Sequence, residues 1–385
     1  MEDFLLRNVR ICLPEREMTG YIGIHNGKIT EIGDGTPSHK YAKEIDGRFQ
    51  YALPGFIDGH IHGADGADTM DATQESLHQM AAFLPNEGTT AFLATTITQD
   101  DKSIEAALEQ VRLFSNHTGE AELIGVHLEG PFVNPKKAGA QPLEHIKNPD
   151  TALFRKWQEL SGNLIKVVTL APECDEDYNL TQLLASERIV ASAGHTDALF
   201  EQMKEAADQG ISQLTHLCNQ MNAIHHRDIG AVGAGFLLSS LKSELIADGI
   251  HVAPEMLRLI YQNVGPERLI LITDSLRGKG LADGTYDLGG QAVTVKEGKA
   301  LLPDGTLAGS MLQMKGAIRN MAAYADATVL DIARMTAENP AKQYNIYDRK
   351  GSLEIGKDAD IVLLDEQLLL QATYCRGNLA YQKEK

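Results

Sequence analysis

From Leu53 to about residue 274 the chain alternates short apolar runs with longer stretches of helical periodicity, and few folds accept that pattern. Eight runs stand out, at 53–60, 90–97, 122–128, 164–171, 188–194, 212–217, 244–250 and 268–274. Most are near-continuously apolar, as parallel strands are when helices cover both faces of their sheet. Helical stretches fall between and after them, at 74–86, 102–115, 150–160, 198–208, 254–263, 313–325 and 328–337. Eight strand–helix units over about 290 residues predict an α/β fold of the (β/α)8 TIM-barrel type. A doubly wound sheet is the competing fold, but no Gly-x-Gly-x-x-Gly follows an early strand.

The two chain ends read differently. Residues 4–12, 20–25 and 28–33 are short strand candidates separated by turn residues, including Asn26-Gly27. Residues 351–365 return to strand character. The expected division is therefore 1–52 plus 351–385 as one small β-sandwich domain, beside a barrel over 53–350. A glycine-rich segment at 280–309 predicts a β-hairpin excursion before the last barrel helix, expected to dock on the small sheet.

A net charge of −18 argues against a nucleic-acid or anionic-membrane surface, since both need a basic field. The four cysteines (Cys12, Cys174, Cys218 and Cys375) are scattered and read as reduced thiols. No apolar run reaches the ~18 residues of a bilayer span, and no signal pattern opens the chain, so a cytoplasmic location is expected.

In a (β/α)8 barrel the chemistry sits at the C-terminal ends of the strands. Here those ends carry His60 and His62, then Val126-His-Leu-Glu129, Ala193-Gly-His195, Leu214-Thr-His216, Ala247-Asp-Gly-Ile-His251 and Leu271-Ile-Thr-Asp274. His60 and His62 are two apart, so an extended strand presents both imidazoles on one face. Each residue alone has an ordinary explanation: Asp274 as a helix cap, Glu129 as a loop carboxylate, His216 as a core histidine. Jointly, at several independent strand ends, they predict a site for a divalent metal, which imidazole and carboxylate bind well. His127 and Glu129 share a face, leaving open which one the site uses. A divalent metal there would lower the pKa of bound water to about 7 and act as a Lewis acid. A carboxylate beside that water can take its proton and pass it on, and Asp274 is the candidate.

Pro54-Gly-Phe-Ile-Asp-Gly-His-Ile-His62 resembles the first-strand motif of the amidohydrolase superfamily. With His127-Leu-Glu-Gly-Pro-Phe132, Ser192-Ala-Gly-His-Thr196, Thr215-His-Leu-Cys-Asn-Gln-Met221, Ala247-Asp-Gly-Ile-His251 and Thr273-Asp274, the chain is similar along its whole length to the N-acetylglucosamine-6-phosphate deacetylase family. Other branches often carry a carbamylated lysine after strand four; the candidate, Lys166, lies near the start of that strand, at the wrong end of the barrel.

The resemblance implies that Glu129, His195 and His216 hold one divalent metal. Retained His60 and His62 make a second one plausible, with Glu129 bridging. Zinc is the first expectation, with Fe, Co, Ni or Mn as alternatives. It implies Asp274 as acid/base, and sugar contacts from Ala140, Gln141, Asn219, Gln220 (through its backbone), Leu307, Ala308 and Gly309. Arg227 and His251 would meet a 6-phosphate. Lys136-Lys-Ala-Gly-Ala-Gln141 departs slightly from the family's Lys-Lys-Gly pattern at the sugar loop. A homodimer is implied, in which a neighbouring subunit helps meet the phosphate, as is a place in amino-sugar catabolism and cell-wall sugar recycling. The competing expectations are a deacetylase of the galactosamine epimer, a cyclic-amide hydrolase and a non-catalytic sugar-phosphate-binding scaffold.

Overall fold

The computed structural model describes residues 3–384. Eight parallel strands form its centre: β1 (Phe56–Ile61), β2 (Thr89–Thr96), β3 (Glu122–Glu129), β4 (Ile165–Leu170), β5 (Val190–Ala193), β6 (Ile211–Leu214), β7 (Lys242–Ile246) and β8 (Leu269–Ile272). Each pairs with the next in chain order. The ring closes just past the strand ends, where the Asp274 amide donates to the His60 carbonyl at 2.8 Å and the His62 amide to that of Ser275 at 3.0 Å. Every residue of β2 and β8 is buried, which explains their unbroken apolar character.

Helices follow the strands: α1 (Gln74–Phe83), α2 (Asp101–Leu113), α3 (Thr151–Leu160), α4 (Asn179–Ser186), α5 (Phe200–Gln209), α6 (Gly230–Leu237), α7 (Pro254–Val264) and α8 (Met314–Ala325). Thr73, Asp100 and Asp150 cap the first three by accepting from backbone amides of the first turn. Helix α6 has little sequence signal, because its Gly-Ala-Val-Gly-Ala-Gly start combines poor helix formers. Close packing requires one of them: a Cβ on Gly235 would lie 2.8 Å from Leu214 Cδ1 of β6.

Both chain ends build one eight-stranded sheet. Tyr51–Pro54 pairs with Phe4–Cys12 on one side and Ile361–Leu364 on the other, and so carries the chain from that sheet into the barrel. Phe4, Leu6, Ile22, Ile24, Ile361 and Tyr374 form its separate core.

The 280–309 excursion is a three-stranded meander of Gly284–Leu288, Gln291–Lys296 and Lys299–Leu301. It does not dock on the small sheet as expected. Leu288, Val293 and Ala300 pack instead on Ile97 and Leu276, beyond the C-terminal ends of β2 and β8. Gln291 Nε2 donates to the Ala140 carbonyl at 2.7 Å, tying the meander to the loop after β3. The apolar faces of its strands match those strand-end side chains, and the excursion covers part of the barrel mouth.

Candidate metal centre and active site

Glu129 ends β3 and divides its two oxygens. Oε1 lies 3.2 Å from His195 Nε2 and 3.1 Å from His216 Nε2. Oε2 lies 3.2 Å from His62 Nε2, and His60 Nε2 is 3.5 Å from Oε1. Asp274, just past β8, sets Oδ1 3.3 Å from His62 Nε2 and 3.5 Å from His60 Nε2. Two groups result, Glu129–His195–His216 and His60–His62–Asp274, each with its ligand atoms within 4.8 Å of one another. All six residues are buried.

The backbone contributes. His195, His216 and Asp274 have φ of 48°, 32° and 46°, a left-handed conformation that costs such residues about 1–3 kcal/mol each and collects at functional sites. Each sits where a strand stops and the chain must turn its side chain inward.

His127 resolves the alternative left open by its shared face with Glu129. It lies deeper in the barrel, with Nδ1 3.0 Å from the Gly59 carbonyl and Nε2 2.7 Å from Thr169 Oγ1. Burial and the nearby His60 hold it well below the usual imidazole range, so it is a neutral support beneath the site.

The electrostatics suit a cation. Burial opposes charge on His62, yet hydrogen bonds to Asp274 and Glu129 outweigh it and raise that imidazole to about 9. His60 is likewise raised against burial by Glu129, Asp274 and Glu244. Burial would push Asp274 up, but the His60 charge and the His62 hydrogen bond bring it to about 2. Glu129 is held well below the carboxylate range by the same imidazoles, again against burial. Perturbed groups of this kind gather at functional sites. His60 Nε2 is buried and has no hydrogen-bond partner among the described residues. Four imidazole nitrogens and two carboxylates facing one space are a donor set that fits one or two divalent cations.

Residues 51–383 match the amidohydrolase family. The chain belongs to that family. It is 49% identical to the N-acetylglucosamine-6-phosphate deacetylase of Bacillus subtilis (strain 168), over 99% of this chain and 98% of the relative. It is 35% identical to the N-acetylgalactosamine-6-phosphate deacetylase of Escherichia coli O157:H7, over 85% of this chain and 87% of that one. Among solved structures, a variant of the Mycobacterium smegmatis N-acetyl-D-glucosamine-6-phosphate deacetylase in complex with N-acetyl-D-glucosamine 6-phosphate superposes with a TM-score of 0.92. That pair is 28% identical and covers 99% of this chain and 100% of the other.

The expected sugar contacts of this amidohydrolase are held to different degrees. Gln141 is buried and bound on both sides: Nε2 donates to Glu129 Oε2 at 2.9 Å and Oε1 accepts from the Thr98 amide at 2.8 Å. It therefore orients Glu129. Ala140 precedes it on the same loop. Ala308 is buried, and Gly309 (φ 63°) passes so close to Asp274 that a Cβ there would lie 3.3 Å from the Asp274 carbonyl. Leu307 leads into that strip. Asn219 Nδ2 donates to the His216 carbonyl at 3.3 Å, and the Gln220 carbonyl accepts from the Thr196 amide at 3.1 Å. His251 places Nδ1 2.7 Å from Asp248 Oδ2, which leaves Nε2 as its other nitrogen. Arg227 stands apart on an exposed loop, with Nη1 2.8 Å from His226 Nε2, and among the described residues no ion pair joins it to the buried groups.

Sequence reasoning missed three supporting carboxylates. Asp58 accepts from Thr273 Oγ1 at 2.5 Å and from the Thr273 amide at 3.2 Å, pinning β1 to β8. Asp248 orients His251. Glu244 lies behind His60. Glu244 stands in the short strand Lys-Ser-Glu-Leu-Ile, whose polar start gave the sequence no signal for it.

Proposed function

We propose that this chain hydrolyses the N-acetyl group of N-acetyl-D-glucosamine 6-phosphate to D-glucosamine 6-phosphate and acetate, in amino-sugar catabolism and cell-wall sugar recycling. The observation that carries this reading is the position of Asp274, a carboxylate facing both His60 and His62 at the rim of a site whose other carboxylate, Glu129, is shared by the two imidazole pairs. The near full-length similarity to a deacetylase of that name supports it.

Glu129, His195 and His216 hold one divalent metal in this reading, with zinc first and Fe, Co, Ni or Mn as alternatives. His60 and His62 would hold a second beside it. When bound, the metal supplies Lewis acidity and a water acidic enough to ionise near neutrality. Asp274, kept ionised by its imidazole neighbours, takes one proton from the attacking water. The C–O bond to the acyl carbon forms first; the C–N bond then breaks as Asp274 returns the proton to the departing nitrogen, and the acetic acid and free amine leave, the acid ionising to acetate by losing the second water proton to solvent. Ala140, Gln141, Asn219, the Gln220 backbone, Leu307, Ala308 and Gly309 line the sugar. His251 and Arg227 meet the phosphate, the guanidinium by a forked charge-assisted contact. The division into 1–52 plus 351–385 and 53–350, a homodimer and a cytoplasmic location belong to the same reading. Among the described residues no helix is long and apolar enough to cross a membrane.

Acetate release from N-acetylglucosamine 6-phosphate, its galacto epimer and the unphosphorylated sugar, measured side by side, tests the assignment. Preference for the phosphorylated gluco sugar is expected. Preference for the galacto epimer would favour the second reading, to which the 35% relative lends support. Binding without turnover would leave a scaffold.

A further inference from the structure

We propose that Glu244 is the positioning residue that makes His60 a metal ligand, so that the second metal of this chain depends on a carboxylate that never touches it. The inference rests on the two-metal reading above and deepens it. Glu244 lies in the middle of β7, fully buried among Ser243, Leu245 and Ile246. An isolated carboxylate there would cost several kcal/mol, so its surroundings must compensate, and they do so selectively. Oε2 is 3.0 Å from His60 Nδ1. Oε1 accepts from Gln213 Nε2 of β6 at 2.8 Å. Oε2 also lies 3.4 Å from the His216 amide, and His127 Nδ1 is 3.8 Å from Oε1.

An ionised carboxylate only accepts hydrogen bonds. Facing Glu244, Nδ1 of His60 carries the hydrogen, and with a cation in place Nε2 presents its lone pair toward the space between Glu129 and Asp274, each 3.5 Å away. The other three imidazoles lack such a partner. His62 Nδ1 and His216 Nδ1 have no hydrogen-bond partner among the described residues, and His195 Nδ1 faces the neutral carbonyl of Lys137 at 2.8 Å. A carboxylate behind a ligating imidazole fixes its tautomer and raises its basicity, and losing it typically costs 10- to 100-fold in metal affinity.

The test is a Co(II) titration of metal-free protein followed by visible absorption, with circular dichroism as the folding control, on wild type, Glu244→Leu and Glu244→Gln. Wild type is expected to take up two equivalents. Glu244→Leu should bind one of them about 10- to 100-fold more weakly and keep the other unchanged. Glu244→Gln, whose amide oxygen still accepts from His60 Nδ1–H, should weaken the same equivalent by less, and it carries the test if the leucine variant does not fold. Wild-type affinity for both equivalents in either folded variant would overturn the proposal, as would equal weakening of both. A wild type that binds one equivalent and still releases acetate would overturn it and leave the deacetylase reading standing. One that binds two equivalents without releasing acetate would sink the activity and leave the role of Glu244 intact.

Discussion

His195 and His216 reach the centre from turns with left-handed backbone, whereas His60 lies within the extended strand β1 and His62 just past its end. In the first half the chain itself aims the donors. His216 needs nothing behind its ring, and His195 has one backbone carbonyl. In the second half the aim comes from side chains: Glu244 behind His60, and Asp58 holding β1 against Thr273 just past β8. Below that contact lies a fully buried ion pair, Lys279 Nζ to Glu87 Oε1 at 2.8 Å, with Lys279 also 3.5 Å from Thr273 Oγ1. The difference teaches that one centre can be built by two economies. Backbone strain localises the two histidines of the first half, and Asp274 of the second, in a few residues. The second half is spread over a polar network that runs down through the barrel wall, and it can be dismantled from a distance.

The largest effect is expected where the halves meet the reaction. Asp274→Asn should keep metal content and lower acetate release by a factor on the order of 10² or more, read from steady-state rates beside metal analysis. An unchanged rate would remove Asp274 from its role. Next is the network under the second half. Lys279→Met leaves Glu87 buried without its cation, and urea unfolding should show a loss of about 3–5 kcal/mol; a loss near zero would mean that the network does not support β1 and β8.

The exposed loop of Arg227 offers a third region to set against both buried halves. Arg227→Ala should raise KM for the phosphorylated sugar by an amount worth about 1.5–3 kcal/mol, leaving kcat and the unphosphorylated sugar almost unaffected. A fall in kcat alone would place Arg227 elsewhere in the mechanism. The smallest effect is a pH shift. Burial acts against a charged His251, but the hydrogen bond to Asp248 raises its pKa above the ordinary imidazole value. The imidazolium therefore persists to higher pH, and phosphate affinity is held below the raised pKa and lost as pH climbs through it. Asp248→Asn should make KM begin its rise at lower pH, in profiles taken between about pH 5 and 9. Superimposable profiles would separate His251 from the phosphate.

Much of this was legible before any coordinates. Parallel barrel strands are largely apolar, so a histidine or carboxylate at a strand end stands out, and residues from five of the six such ends come together in the two groups. The network behind them was not legible. Glu244 and Asp58 have no periodic signature, because a single acidic residue in a short strand acquires meaning only when a neighbouring strand supplies its donors. Gln141 reads as a sugar contact from its loop, while its hydrogen bonds to Glu129 and Thr98 depend on how that loop folds back. Helix α6 was hidden by its glycines. The meander at 284–301 alternates like any edge strand, and its docking on the barrel mouth is set by Ile97 and Leu276, far away in sequence.

The central claim, two imidazole-carboxylate halves each holding a divalent cation, is tested most directly by metal analysis of gently purified protein beside its His60→Ala/His62→Ala double variant. Two equivalents per chain in the first and one in the second are expected, with the remaining metal on Glu129, His195 and His216. Identical metal content and identical acetate release in the two proteins would contradict it.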